Sequence, residues 1–438
     1  MDKRPDRLFA IHGYLLALAM GLAAQEADWS WTFALPACTL ANLLLWLLIT
    51  RRASGAPSPW TILRRTPLLL LLPSLYFVGL FCRFSWQPNA SVLTVALPTL
   101  CFAANFVIAA FIYASAPRAD GLLYGLAATG ALICVEGLAH EWVKTHGFID
   151  LITRSPYRRD IAADQITRLG YPIAYPNALA TVLLFFSACT LGAIVSTRRL
   201  PVRALLVMVL LLNFVCIVLT GSRGGLISVL FLPMAFVGRQ VRSGRWIATA
   251  SATLVVAAVA WMLRKPYARL RGSGSLLQRA HGWVVTLKIT TRSPWFGEGP
   301  DAFSREWASY GPAHGYSNQF GLDGFYPNLM CQGGVVSLTV LSTLIIAAGR
   351  EVKRLLYSRV PESAQNALYY LSVGLGVVLI HNIVETTLSS RPIILGASLL
   401  FGVVTGLRHR EQETRVPIAA SVEWTGGTYS SGPRRQPA

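Results

Sequence analysis

The chain is short of charge. Only 13% of its 438 residues are Asp, Glu, Lys or Arg, where a soluble protein carries about 25%. A soluble globular domain of this length is thereby excluded. Acidic residues are scarcer still, 20 against 39 Lys and Arg. The seven cysteines, Cys38, Cys82, Cys101, Cys134, Cys189, Cys216 and Cys331, stand singly, mostly inside apolar blocks. Without a CxxC pair or a Cys/His cluster, neither a zinc site nor a disulfide framework has support. There is no internal repeat and no pair of broken, charged spans, which counts against a transporter built on repeated halves. No DxD-like pair sits near a basic loop, so a metal-independent reaction is the simpler expectation, with no cofactor.

What is present is hydrophobic sequence. Apolar residues make up 53% of the chain and fall in blocks near the ~20 residues that cross a bilayer. Stretches such as Ala204–Leu219 and Ala248–Leu263 are almost solidly apolar. They lack the alternation of a barrel strand, so helices are predicted. The expected architecture is an all-α polytopic membrane protein of about 12 transmembrane helices. They lie near 8–24, 31–50, 67–82, 91–115, 121–140, 173–196, 203–220, 224–238, 246–263, 329–349, 367–388 and 391–407. Met1–Arg7 is basic and precedes an apolar stretch, read as the start of an uncleaved first helix.

Arg51, Arg52, Arg64, Arg65, Arg198, Arg199, Arg203, Arg239, Arg242, Arg245, Lys353 and Arg354 all fall in alternate loops, and the short connections between those loops are nearly free of Lys and Arg. The positive-inside rule then places both termini in the cytoplasm. Much of the +19 net charge is topological, so nucleic acid is not expected as a partner. Residues 1–408 form the transmembrane domain, and 409–438, rich in Gly, Ser, Pro and Arg, read as a disordered cytoplasmic tail.

Two outside segments depart from the short-loop pattern, about 141–172 and about 264–328, the larger lying between helices 9 and 10. Both are basic: Arg154, Arg158, Arg159 and Arg168 in the first, with Arg264, Lys265, Arg269, Arg271, Arg279, Lys288, Arg292 and Arg305 in the second. Arginine forks pair with phosphate oxygens and stay charged at any relevant pH, so the set fits a phosphate-rich ligand. The same residues also suit lipid headgroups or acidic loop partners. Thr220-Gly221-Ser222-Arg223-Gly224-Gly225 joins two apolar blocks with almost no loop. An arginine at that depth is costly and often functional, although it also suits a snorkelling helix end.

Leu276–Thr290 reads as a loop helix whose Leu276, Ala280, Trp283 and Leu287 form one apolar face, with Arg279 beside Trp283. It would lie along the membrane surface or lid a cavity. Ser293-Pro294-Trp295-Phe296-Gly297-Glu298-Gly299-Pro300 is turn sequence. Glu298 could orient a neighbour. His314, in a polar Gly-flanked stretch, is the better general-base candidate, ahead of His281 and His381. His381 could pair with Glu385 or line the cavity.

The chain resembles the O-antigen ligase/polymerase superfamily of bacterial membrane glycosyltransferases. The resemblance rests, in order, on Tyr175-Pro176-Asn177-Ala178-Leu179-Ala180, Ser222-Arg223-Gly224-Gly225, Arg279 with Trp283, Ser293–Pro300 and Gln332-Gly333-Gly334-Val335-Val336. It covers roughly 150–350, and hydropathy extends it to the whole chain. It implies a GT-C-type glycosyltransferase fold in the bacterial inner membrane, with the active site facing the periplasm. The donor would be an undecaprenyl-diphosphate-linked glycan. The acceptor would be lipid A-core in the ligase branch or another lipid-linked repeat in the polymerase branch. Arg223 and Arg279 would neutralise the diphosphate. Arg159, Arg271, Arg292, His281, Asn177 and His381 would complete the diphosphate- and glycan-binding surface. The ligase motif carries a histidine before the span that follows the large loop. Here Leu322–Gln332 has none, and His314 is the nearest. Arg159/Gly170 and Arg271/Gly282 fit the Arg-x10-Gly spacing of polymerases. A single large outside loop and a short tail favour a ligase; a transporter or flippase of an anionic lipid is the reading from another class.

Overall fold

Among the described residues, five helices are long and apolar enough to cross a membrane: Gly121–Glu141, Pro176–Ser196, Leu200–Leu219, Phe325–Leu356 and Glu362–His381. The computed structural model describes residues 11–19, 21, 35–52, 61, 64, 92–115, 120–145, 169–173, 175–240, 275–299, 302–316, 324–383 and 391–415. Among these, every regular element is helical, and the chain is an all-α membrane protein. The expected spans at 67–82 and 246–263 lie outside the described residues, as do Arg159 and Arg271.

The helices are α1 (Leu35–Arg52), α2 (Val92–Ser115), α3 (Asp120–Thr145), α4 (Pro176–Ser196), α5 (Leu200–Leu219) and α6 (Arg223–Val229). They continue as α7 (Phe231–Gln240), α8 (Ser275–Arg292), α9 (Ala302–Ala313), α10 (Phe325–Leu356), α11 (Glu362–His381) and α12 (Arg391–Arg415). The helix at the centre is α4. It opens on Pro176, whose missing N–H costs nothing in a first turn. Of its apolar window 94% is buried, against 22% for α5. An all-round apolar helix enclosed by others is a core span; one left open is covered by lipid. Around α4 pack α3, α5, α6 and α11. Behind them α2 and α12 lie in close contact, because Gly402 and Gly406 present no side chain; a Cβ on Gly406 would stand 2.2 Å from the Ala110 carbonyl oxygen.

The span expected at 224–238 is present as one apolar helical stretch, Gly224–Arg239, in which α6 and α7 meet at Leu230, itself in the right-handed helical region. Two expectations change. A helix not anticipated, α9, runs through the large loop. The tail expected from 409 is still helical to Arg415. There Arg408 pairs with Glu351 at 2.9 Å and Arg354 pairs with Glu411 at 3.2 Å, fastening α12 to α10. Residues 416–438 lie outside the described part.

Candidate functional site

Two pairs of sequence motifs meet as backbone contacts. In the first, Ser222 caps α6 by accepting the Gly225 N–H at 3.1 Å. Gly225 then lies against α4, where a Cβ would meet that of Ala180 at 2.9 Å. The Tyr175–Ala180 and Ser222–Gly225 segments are therefore packing partners at one end of the bundle. Arg223 is the first residue of α6; its side chain lies outside the described part.

The second pair is a splice. α10 breaks at Gly334, where φ is 62°. A break there frees the carbonyls of Cys331 and Gln332 and the N–H groups of Val335 and Val336, all of which need partners when buried. The turn after α8 supplies all four. Glu298 N–H donates to Cys331 at 2.8 Å, and Gly299 N–H donates to Gln332 at 3.1 Å. The Pro294 carbonyl accepts from Val335 at 2.8 Å, and that of Trp295 accepts from Val336 at 3.1 Å. The approach needs glycine on both sides. A Cβ on Gly334 would stand 2.4 Å from the Trp295 backbone, and one on Gly297 would stand 2.5 Å from that of Gln332.

His381 closes the first region. It ends α11, is 1% exposed, and lies against backbone at Asn177 and Gly224. Its Nδ1 is 3.5 Å from Ser228 Oγ. Asn177, in the first turn of α4, uses its carbonyl to accept from Thr181 at 2.9 Å. Next to His381, the Asn382 carbonyl accepts the Phe325 N–H at 3.1 Å. Three helix N-termini, those of α4, α6 and α10, therefore converge around the end of α11. Neither α4 nor α10 has a side-chain cap. Helix N-termini carry partial positive charge, which suits an anion; here the Gly225 and Phe325 N–H groups are already taken by Ser222 and Asn382. Glu385, the partner first considered for His381, lies outside the described residues.

His281 and His314 belong elsewhere, to a second small core made by α8, α9 and the start of α10. Val285, Ile289, Ala302, Phe303, Trp307 and Cys331 are its buried residues. At its edge His314 stacks on Tyr310 with ring centres 4.0 Å apart, and His281 lies 5.2 Å from His314. His281 Nδ1 and the Tyr310 hydroxyl are 2.8 Å apart. His314 Nδ1 is 2.8 Å from the Tyr310 carbonyl, which can only accept, so Nδ1 carries the proton. The other ring nitrogen of this exposed residue is then the basic one. Arg279, half-buried, sits two residues before His281 on α8.

Arg292 is engaged by protein. It pairs with Glu298 at 2.8 Å and Glu306 at 2.7 Å, and Lys288 joins Glu306. The Lys288 ammonium and then the Arg292 guanidinium hold the Glu306 carboxyl below its ordinary range. Glu298 is thus a partner of Arg292. The apolar face expected on α8 is its open side: Trp283 and Leu287 are 52% and 65% exposed, while Gly282, Val285, Thr286 and Ile289 face the core.

Sequence reasoning passed over several residues here. Asn328 and Gln332 lie one turn apart on α10, between the two regions, and Gln332 Nε2 donates to Asn328 Oδ1 at 2.6 Å. Tyr171 stacks on His140 with ring centres 4.0 Å apart and hydrogen-bonds Glu136. Burial first, and Glu136 second, push the Tyr171 phenol above its ordinary pKa. This cluster pins the segment entering α4 to α3, and Leu169 N–H donates to the last carbonyl of α5 at 3.1 Å. Amide and aromatic residues inside apolar blocks give little warning of such contacts. Set against known proteins, the chain matches no family model and no curated sequence.

Proposed function

We propose that the protein is a membrane glycosyltransferase of the O-antigen ligase type, with about 12 spans in a GT-C-type arrangement. It would transfer a glycan from undecaprenyl diphosphate to lipid A-core at the periplasmic face of the bacterial inner membrane. The observation that carries the reading is the convergence of the α4, α6 and α10 N-termini around His381, with Arg223 opening α6. A leaving diphosphate gains negative charge as the glycosidic bond breaks. Helix dipoles, with an arginine at the start of α6, would stabilise that charge in the transition state more than in the ground state. No metal or cofactor is needed for that role.

His381 is buried, so it positions the α4–α6 junction and does not line a cavity. Arg279, with Arg159 and Arg271 of the same loops, is assigned to the diphosphate or the glycan. His314 is assigned as the base. Its free ring nitrogen takes the proton of the acceptor hydroxyl while that oxygen attacks the anomeric carbon, the bond to the diphosphate breaks with its electron pair, and the configuration inverts. Asn177, in the first turn of α4, is assigned to the diphosphate- and glycan-binding surface. Arg292 supports the loop through its ion pairs.

The test is a deletion strain. A ligase predicts polymerised O-chain stranded on the lipid carrier and lipopolysaccharide that ends at the core. A single repeat joined to the core would instead assign the protein as a polymerase. An unaltered lipopolysaccharide would leave transport of an anionic lipid or solute as the reading.

A further inference from the structure

The described cations divide between the two ends of the bundle. At the loop end Lys288 pairs with Glu306, Arg292 pairs with Glu298 and Glu306, Arg305 donates to the Glu298 carbonyl, and Arg279 is engaged within the protein. At the opposite end, where α5 and α11 start and α10 stops, Arg198, Arg199, Arg203, Arg350, Lys353 and Arg359 are all exposed. Among the described residues none of these six side chains has a hydrogen bond or an ion pair. Glu351 is taken there by Arg354 and Arg408, Glu411 by Arg354, and Glu413 lies beside His409. Of the described carboxylates at this end, Glu362 alone is left to face the six. Unpaired cations in such excess at a membrane face draw anionic headgroups.

The start of α5 gives that charge a place. At 100° per residue, Leu200, Arg203, Val207, Leu211, Phe214 and Val218 fall within about a quarter of the helix circumference. All six are exposed, and only 22% of the α5 window is buried. The stripe runs the length of a helix long and apolar enough to span, so most of what covers it lies in the hydrocarbon core. Arg199 directly precedes the helix, and Arg203 stands one turn inside it, at the head of the stripe. An arginine at that depth snorkels, its stem along apolar surface and its guanidinium at the headgroups.

We propose that the start of α5 binds an anionic phospholipid, whose phosphate is gripped by Arg199 and Arg203 and whose acyl chain lies along Val207, Leu211, Phe214 and Val218. Guanidinium forks match phosphate oxygens in pairs. A zwitterionic lipid offers the same phosphate but brings a cation of its own, which these arginines repel. A second copy of the chain packed through this stripe would set Arg203 against Arg203, because a two-fold interface pairs a patch with itself. The lipid lies a full span away from Arg223, which follows the other end of α5. The site is therefore separate from the one assigned to the glycan donor, and it stands independently of the glycosyl-transfer reading.

The test uses the full-length protein in phosphatidylcholine vesicles. A trace of phosphatidylglycerol or, separately, of phosphatidylcholine carries a diazirine at the same acyl carbon, and peptide mass spectrometry locates the label after illumination. The expected result is labelling of residues 203–218 that is at least about fivefold stronger from phosphatidylglycerol. That excess should collapse in the Arg199→Gln/Arg203→Gln variant. It should also collapse for the wild type at about 1 M salt, where the screening length falls to about 3 Å. The salt series decides the matter should the double variant be poorly folded. Equal labelling by the two probes overturns the proposal, as does an excess unchanged by salt or by the folded variant. So does a stripe that neither probe labels, which would mean that protein covers it.

Discussion

The two histidine neighbourhoods are built in opposite ways. At the end of the bundle His381 is sealed, 1% exposed, and surrounded by backbone from α4 and α6. In the loop His314 is exposed, stacked on a tyrosine, and proton-bearing on a known nitrogen. One histidine is built into a junction; the other presents its ring at the surface. The regions are joined by the first turns of α10, which bind Asn382 at one end and the Pro294–Gly299 turn at the other.

Breaking that joint should have the largest effect. Gly334→Val forces a side chain into the Trp295 backbone at a positive φ. A loss on the order of 5 kcal/mol is expected. Limited proteolysis should then cut between α8 and α9 while the bundle stays resistant. Trp307→Ala empties the middle of the loop core and should cost about 3–5 kcal/mol. Its thermal transition should split, the loop melting before the spans. A single unsplit transition would mean the two cores are not separable.

The histidine pair sharpens the contrast. His381→Ala should lower stability by about 2–4 kcal/mol through lost packing and buried hydrogen bonding. His314→Ala should leave the melting temperature almost unchanged and slow product formation by about 10²-fold. Equal loss of stability in both variants would erase the distinction.

The smallest effect is electrostatic. The Glu306 pairs are close to the surface, so Glu306→Gln should cost less than about 1 kcal/mol. The sign with pH follows from its lowered carboxyl. The contribution is full above the ordinary value of 4.5 and is lost as pH falls through the lower folded value. Amide exchange in α8 and α9 should therefore rise in acid below about pH 4, and should do so less in the Gln variant.

Much of the bundle was legible. Long apolar blocks marked α3, α4, α5, α10 and α11 to within several residues, because hydropathy over twenty residues swamps local ambiguity. The motif positions were legible too. Their pairing was not: the Gly334 splice joins residues 33 to 41 apart by backbone alone, and no side-chain pattern announces it. On α8 the larger apolar residues marked Trp283 and Leu287 as a face toward the membrane surface or a cavity. They gave no sign of the face that packs on the loop core, which includes Gly282 and Thr286. In α9 the Phe303–Trp307 pair at helical spacing was hidden by the Gly and Pro residues around it. Ion pairs to α10, invisible in composition, carry α12 into the stretch read as tail.

The central claim concerns the end of the bundle where Arg223 opens α6. It is tested most directly with purified protein in liposomes, undecaprenyl-diphosphate-linked glycan and lipid A-core, without energy input. The account predicts a glycosidic product from the wild-type protein. For Arg223→Ala it predicts a rate lower by at least about 10²-fold, with melting unchanged. No product from the wild type, or an undiminished rate from the variant, would contradict it.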